Sequence, residues 1–183
     1  MIELILGGAR SGKSRLAEHK AAGSQTKVTY IATAAAGDGE MSERIQRHQS
    51  QRPSHWGLIE EPLQLADAIS SITPPQCVLV DCLTLWVSNW LMEENPAGFQ
   101  HAKEALLTVL QQSPHHIILV SNETGMGVIP MGKLSRTFVD ESGWLHQAIA
   151  AIADEVVLTV AGLPLPLKQQ GKNCFASHLT GTP

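Results

Sequence analysis

Short apolar runs alternate along this chain with stretches of helical composition, the pattern of a parallel sheet whose strands are joined by crossover helices. Runs at residues 2–6 (IELIL), 28–32 (VTYIA), 77–82 (CVLVDC), 116–121 (HIILVS) and 155–161 (EVVLTVA) predict strands. A shorter strand is expected at 56–59. Another is expected at 163–167, where Pro164 and Pro166 confine it to a sheet edge. Between them the composition predicts helices over 14–22, over 40–52 up to Pro53, and over 62–72 with Pro62 at the first helical position. Two more are expected over 84–93 and 99–112, separated by the turn Asn95-Pro96-Ala97-Gly98, and a long one over 133–154 that Gly143 weakens. Residues 122–131 (NETGMGVIPM) read as a glycine-containing loop at the carboxyl end of the strand before them. The expectation is one α/β domain over residues 1–168, followed by a polar, loosely ordered tail over 169–183.

Composition narrows the class of partner. With 43% hydrophobic residues in 183, the chain can bury a sizeable core. A formal net charge of −4 argues against a broad nucleic-acid surface, which needs clustered Lys and Arg. Cys77, Cys82 and Cys174 have no metal-ligand spacing, and free thiols suit a reducing cytosol. The first residues lack the pattern of a targeting segment, and no apolar run is long enough to span a bilayer. A cytoplasmic protein without a membrane span is expected.

The chemistry begins at Gly7-x-x-x-x-Gly12-Lys13-Ser14 (GGARSGKS), set between an apolar strand and a helix. Glycines let backbone N–H groups ring a chain of phosphates, and the helix adds its positive N-terminal end. Lys13 supplies a point charge to the β and γ phosphates, and the Ser14 hydroxyl can ligate Mg²⁺. Asp81 ends an apolar strand, a place from which a carboxylate helps hold Mg²⁺ in phosphate-loop proteins. The competing reading makes Asp81 a cap for the helix that follows.

The helix expected over 40–52 is a poor core element, with only Met41 and Ile45 forming an apolar stripe. Arg44, His48 and Arg52 follow one another at i, i+4 and i+8, with Arg47 adjacent. Like charges at that spacing repel by a few tenths of a kcal/mol per pair, roughly. A nearby anion would offset the repulsion, and a solvated basic face with an incidental histidine is the alternative.

Taken together, several motifs resemble the bifunctional adenosylcobinamide kinase/adenosylcobinamide-phosphate guanylyltransferase family. They are GGARSGKS, YIAT at 30–33, RIQRHQSQRP at 44–53 with His55-Trp56, VSNETGMGVIP at 120–130 and ADEVVLTVAGLPLPLK at 153–168. The likeness covers all but the tail, and the RI-x-x-H element is its most specific part. It implies a RecA-like P-loop fold and a homotrimer. The implied activity has two steps: phosphorylation of adenosylcobinamide by ATP or GTP, then transfer of GMP from GTP to adenosylcobinamide phosphate through a GMP-histidine. The nucleophile falls on His48. The GTP contacts fall on Gly7, Gly8, Ala9, Arg10, Ser11, Gly12, Lys13 and Ser14, on Thr33, Ala34 and Ala35, on Gln49, Ser50, Gln51 and Arg52, and on Glu60 and Asp81. Two positions depart from some relatives: Arg47 stands where they carry a second histidine, and Asp81 where they carry Glu.

The residue types suit that chemistry. Neutral imidazole is nucleophilic near pH 7, and the phosphoramidate it forms passes its group onward. Arg44 and Arg52 can neutralise α-phosphate charge and favour the neutral ring. Phosphoryl transfer over the same loop needs positioning and charge rather than a covalent intermediate. Asn122 and Glu123, just past a strand's carboxyl end, either orient the acceptor or merely stabilise their loop through Asn122. Trp56, Trp86, Trp90 and Trp144 are core residues or subunit contacts, or they line a corrin-sized surface. The other histidines, His19, His55, His101, His115, His116, His146 and His178, show no metal-type clustering. A small-molecule P-loop kinase without guanylyl transfer is the nearest rival. A GTPase-like switch would need an Asn-Lys-x-Asp element, where the chain instead has Asn122-Glu123-Thr124-Gly125.

Overall fold

The computed structural model describes residues 1–34, 53–73 and 75–175. Among these described residues eight strands form one sheet, in the order β3-β2-β4-β5-β1-β6-β7-β8. They are β1 (Ile2–Gly7), β2 (Val28–Ala32), β3 (Gly57–Glu60), β4 (Cys77–Asp81), β5 (His116–Asn122), β6 (Glu155–Val160), β7 (Leu163–Gln169) and β8 (Lys172–Asn173). The first six in spatial order run parallel, β7 is antiparallel to β6, and β8 is antiparallel to β7. Strand β1 is buried along its whole length because β5 and β6 flank it and helices cover the sheet, which is why its run is nearly all apolar.

Five helices are described: α1 (Lys13–Ala22), α2 (Leu65–Ser71), α3 (Leu83–Met92), α4 (Pro96–Gln112) and α5 (Lys133–Ile152). Helix α1 seats Ala17 and Ala21 against Ile5, Tyr30, Leu79 and Ile118 on one face. A larger core, built around Trp86, Phe99, Leu106, Leu145 and Ile149, fills the other. Trp86 meets Phe99 edge-on at 5.7 Å, and both Trp86 and Trp90 donate their indole N–H to the Leu63 carbonyl. These two tryptophans are core residues, whereas Trp144 is exposed.

Some boundaries move from the expected ones, for local reasons. Helix α2 begins at Leu65 rather than Pro62, because the Glu61 carboxylate accepts from the Leu63 and Gln64 N–H groups and holds them in a turn. Helix α4 begins earlier than expected, with Pro96 at its first turn and Asn95 capping the Gly98 N–H at 3.0 Å. Helix α5 runs unbroken through Gly143. The two prolines of β7 are tolerated because β8 pairs only with Lys168 and Gln169. The sheet thus continues to Asn173, into the stretch expected to be loose, while 176–183 lie outside the described residues. The helix expected over 40–52 also lies outside them.

Candidate active site

Parallel strands deliver their carboxyl ends to one edge of the sheet, and the sequence-predicted residues that are described end or follow strands there. Gly7 ends β1, Asp81 ends β4 and Asn122 ends β5, with Gly7 in register with Asn122. Close packing fixes Gly7 and Gly12 of the phosphate loop. A Cβ at Gly7 would lie 2.4 Å from Ser11 Oγ and 2.6 Å from the Thr159 carbonyl. Gly12 has φ +94°, a left-handed conformation at the start of α1, and a Cβ there would lie 3.2 Å from Gly162 Cα. The Gly162 N–H, from the β6–β7 turn, donates to the Ser11 carbonyl at 2.8 Å. The loop is therefore moulded against β6 and its turn.

Lys13 folds its ammonium back onto the Gly8 carbonyl at 3.1 Å, so its charge sits over the loop. A cavity of about 530 Å³ opens here, lined by residues 10–15, Ala161 and Gly162. The buried Ser11 hydroxyl has no hydrogen-bond partner among the described residues. An orphaned hydroxyl, glycines that leave no room for a Cβ and a lysine over the loop together fit a polyphosphate. Ser14 and Asp81 suit Mg²⁺, which is held by one or two protein oxygens together with substrate phosphates. Among the described residues no group of three or more His, Cys, Asp or Glu is arranged to hold a metal by itself.

Thr33 ties β2 to β4. It is fully buried, and its hydroxyl donates to the Cys82 carbonyl at 2.7 Å and accepts from the Cys82 N–H at 2.8 Å. The Thr33 carbonyl accepts from Asn89 Nδ2. Cys82 occupies the N-cap position of α3, without a side-chain cap hydrogen bond of its own. Burial, and then the Asp81 charge, push the Cys82 thiol up to about 11, so it stays protonated and inert at neutral pH.

A polar chain runs behind the end of β5. The Asn122 N–H donates to Thr84 Oγ1 at 2.7 Å, Thr84 Oγ1 is 3.3 Å from Ser121 Oγ, and Ser121 Oγ is 2.7 Å from His146 Nε2. His146 Nδ1 lies 3.8 Å from Glu123 Oε2, while Glu123 Oε1 accepts from the Gly125 N–H at 2.6 Å. Burial lowers the pKa of His146 against the opposing pull of Glu123, so the ring is neutral near pH 7. Among the described residues the loop is stabilised by the Glu123 side chain and not through the side chain of Asn122.

Comparison with known proteins agrees with this geometry. A family model described as cobinamide kinase / cobinamide phosphate guanyltransferase matches residues 3–167. The chain belongs to this family. The bifunctional adenosylcobalamin biosynthesis protein CobP of Pseudomonas aeruginosa is 59% identical over 169 residues, covering 92% of this chain and 98% of that one. The protein of the same description, CobU, from Escherichia coli K12 is 37% identical, covering 92% of this chain and 100% of its own. Among solved structures, an ATPase of a bacterial type III secretion system aligns with a TM-score of 0.52 at 11% identity, over 90% of this chain and 56% of that one. A protein of Pyrococcus horikoshii aligns with a TM-score of 0.55 at 9% identity, over 94% and 90%. These two likenesses concern the fold, and the fold is the P-loop type.

Of the residues expected to serve this family's chemistry, Gly7 to Ser14, Thr33, Ala34 and Asp81 follow or end strands at the carboxyl edge, with Glu60 exposed at the end of β3. Ala35, His48, Gln49, Ser50, Gln51 and Arg52 lie outside the described residues. Sequence reading missed Thr84 and His146. They reach the site from two helices far apart in the chain, where no spacing rule connects them to Glu123.

Proposed function

We propose that this cobinamide kinase / cobinamide phosphate guanyltransferase works in two steps on one corrinoid arm. It first phosphorylates the aminopropanol hydroxyl of adenosylcobinamide with ATP or GTP. It then transfers GMP from GTP to adenosylcobinamide phosphate, giving adenosylcobinamide-GDP for cobalamin synthesis. The observation that carries this is the phosphate loop, with its orphaned Ser11 hydroxyl and inward Lys13, in a chain that matches the family over residues 3–167.

In the kinase step the loop amides and Lys13 hold the triphosphate and stabilise charge on the transferring group. Ser14 and Asp81 would hold Mg²⁺, which supplies charge neutralisation at the phosphate oxygens. In the guanylyl step His48 attacks the α-phosphorus of GTP, and pyrophosphate leaves. The acceptor's phosphate oxygen then displaces the histidine. Gly7 to Ser14, Thr33, Ala34, Ala35, Gln49 to Arg52, Glu60 and Asp81 form the nucleotide site in this reading, with Thr33 acting through its grip on Cys82. The assembly is a cytoplasmic homotrimer. The exposed Met126, Val128, Ile129 and Met131 support a subunit contact, since contiguous apolar exposure marks interaction surfaces.

The test is retention of label from GTP labelled at the α-phosphate after denaturation. The adduct should be acid-labile and base-stable, as a phosphoramidate is. His48→Ala should abolish the adduct and GDP-cobinamide formation while phosphorylation of cobinamide continues. Retained acid-labile α-label in His48→Ala would move the nucleophile elsewhere, with His55 next in sequence.

A further inference from the structure

The loop and His48 deal with the nucleotide, but the two steps differ at the acceptor. A hydroxyl must lose its proton to become a phosphate ester. In the second step the acceptor is already an ionised phosphate, with no proton to remove. The kinase step therefore has a use for a base that the guanylyl step lacks.

We propose that the Glu123 carboxylate is that base, and that His146 is its positioning residue. This rests on the kinase half of the function proposed above. The Glu123 N–H donates to the Gly7 carbonyl at 3.1 Å, which sets Glu123 beside the first glycine of the phosphate loop. Its side chain is 21% exposed, reachable by a substrate yet fixed by its neighbours. The Gly125 N–H occupies one oxygen.

The polar chain behind it has a direction. A carboxylate only accepts, so the imidazole nitrogen facing it carries the proton. Because His146 is buried and neutral, Nε2 is then an acceptor, and the Ser121 hydroxyl donates to it. Thr84 Oγ1 accepts from the Asn122 N–H and lies 3.3 Å from Ser121 Oγ. Ser121 thus donates to His146, whose N–H faces Glu123. The 3.8 Å from Nδ1 to Oε2 is too long for a hydrogen bond. It orients the carboxylate without consuming the lone pairs that a base needs.

The step balances. The acceptor oxygen bonds to the γ-phosphorus, and the bond from that phosphorus to the β–γ bridging oxygen breaks. The nucleoside diphosphate leaves with the electron pair. The hydroxyl proton passes to Glu123 and from there to water.

The experiment uses the full chain and measures the two half-reactions separately. Adenosylcobinamide with ATP or GTP reports the kinase step, and preformed adenosylcobinamide phosphate with GTP reports guanylyl transfer. Glu123→Gln should lower kinase kcat by ~10²-fold, the usual scale for a general base. The ratio of kinase to guanylyl-transfer rates should fall at least about thirty-fold. His146→Leu should lower kinase kcat about ten-fold with little change in KM for the corrinoid, as loss of a base's orientation does. His146→Asn, which keeps an N–H near the place of Nδ1, should restore most of that loss. The base assignment is overturned if Glu123→Gln keeps kinase kcat within about three-fold, or loses both half-reactions equally. Equal damage from His146→Leu and His146→Asn overturns the positioning role. A wild-type chain that phosphorylates no cobinamide overturns the kinase reading itself, an outcome distinct from either variant result.

Discussion

Lys13 follows the left-handed turn at Gly12, and its ammonium already rests on the Gly8 carbonyl. Little rearrangement is needed for that charge to meet a phosphate. Lys13→Ala should cost about 3 kcal/mol of transition-state stabilisation, roughly a hundred-fold in kcat/KM, in kinase and guanylyl transfer alike. Kinase turnover near wild type would remove Lys13 from the machinery. Asp81→Asn keeps the shape at the end of β4 but deletes a negative charge, so half-maximal activity should need more Mg²⁺ in both reactions. An unchanged Mg²⁺ titration with an unchanged melting curve would take Asp81 out of the metal's reach. At this scale the loop was legible because all its parts are local: two glycines, a lysine and a serine at fixed spacing between a strand and a helix. The Thr84–Ser121–His146–Glu123 chain was not, since α3, β5, α5 and a loop each contribute one member.

Elements show the same division between local and long-range information. Strands β1, β4 and β5 announced themselves as apolar runs because both of their faces are buried. The start of α2 did not, because Pro62 gave a stronger local signal than the Glu61 carboxylate that pre-empts it. Glu3 breaks the apolar run of β1, and only the structure gives the reason. It is buried between Lys20 of α1 and His116 of β5, and Lys20 also reaches Glu155 of β6 at 2.8 Å. Burial would raise the Glu3 pKa, but its bonds to His116 and Lys20 outweigh that and lower it. A hydrogen bond with Cys77 and another with Glu3, working against burial, raise His116 to about 9. Glu3 therefore contributes stability above about 4.5 that is lost as acid passes its lowered folded pKa. His116 contributes fully below 6.5 and loses its part as pH rises through about 9. Between these limits stability should be greatest. The fall from pH 6.5 to 9 should amount to ~1–2 kcal/mol after discounting for solvent screening of the half-buried ring. His116→Gln should flatten that fall in denaturant titrations, and a parallel decline in both proteins would detach His116 from it.

The molecule as a whole leaves apolar side chains in water on the loop between β5 and α5, where Val128 is 96% exposed and Met131 95%. Charge placed there should break the proposed trimer with little effect on the fold. Val128→Asp with Met131→Asp should sediment as a monomer and melt within a few degrees of the trimer's subunit transition, because neither side chain is buried against the described residues. A double variant that still sediments with the parent would move the interface elsewhere. Among the described residues no helix is long and apolar enough to cross a membrane.

Strand order has a consequence for how the catalytic loop comes into being. Ile2 pairs with Ile117 and Glu3 with Glu155, so β1 leaves the ribosome long before either of its neighbours exists. Emerging chain is added at about 5–20 residues per second, which leaves the strand and its glycine loop unpartnered for several seconds. The last clamp on that loop, the Gly162 N–H on the Ser11 carbonyl, arrives later still, with the turn after β6. A nascent chain released short of that turn carries the whole phosphate-binding signature in its sequence and lacks the wall that shapes it. The ability to hold a nucleotide is thus acquired well after the residues that define it have been made, once the chain extends past the turn that follows β6.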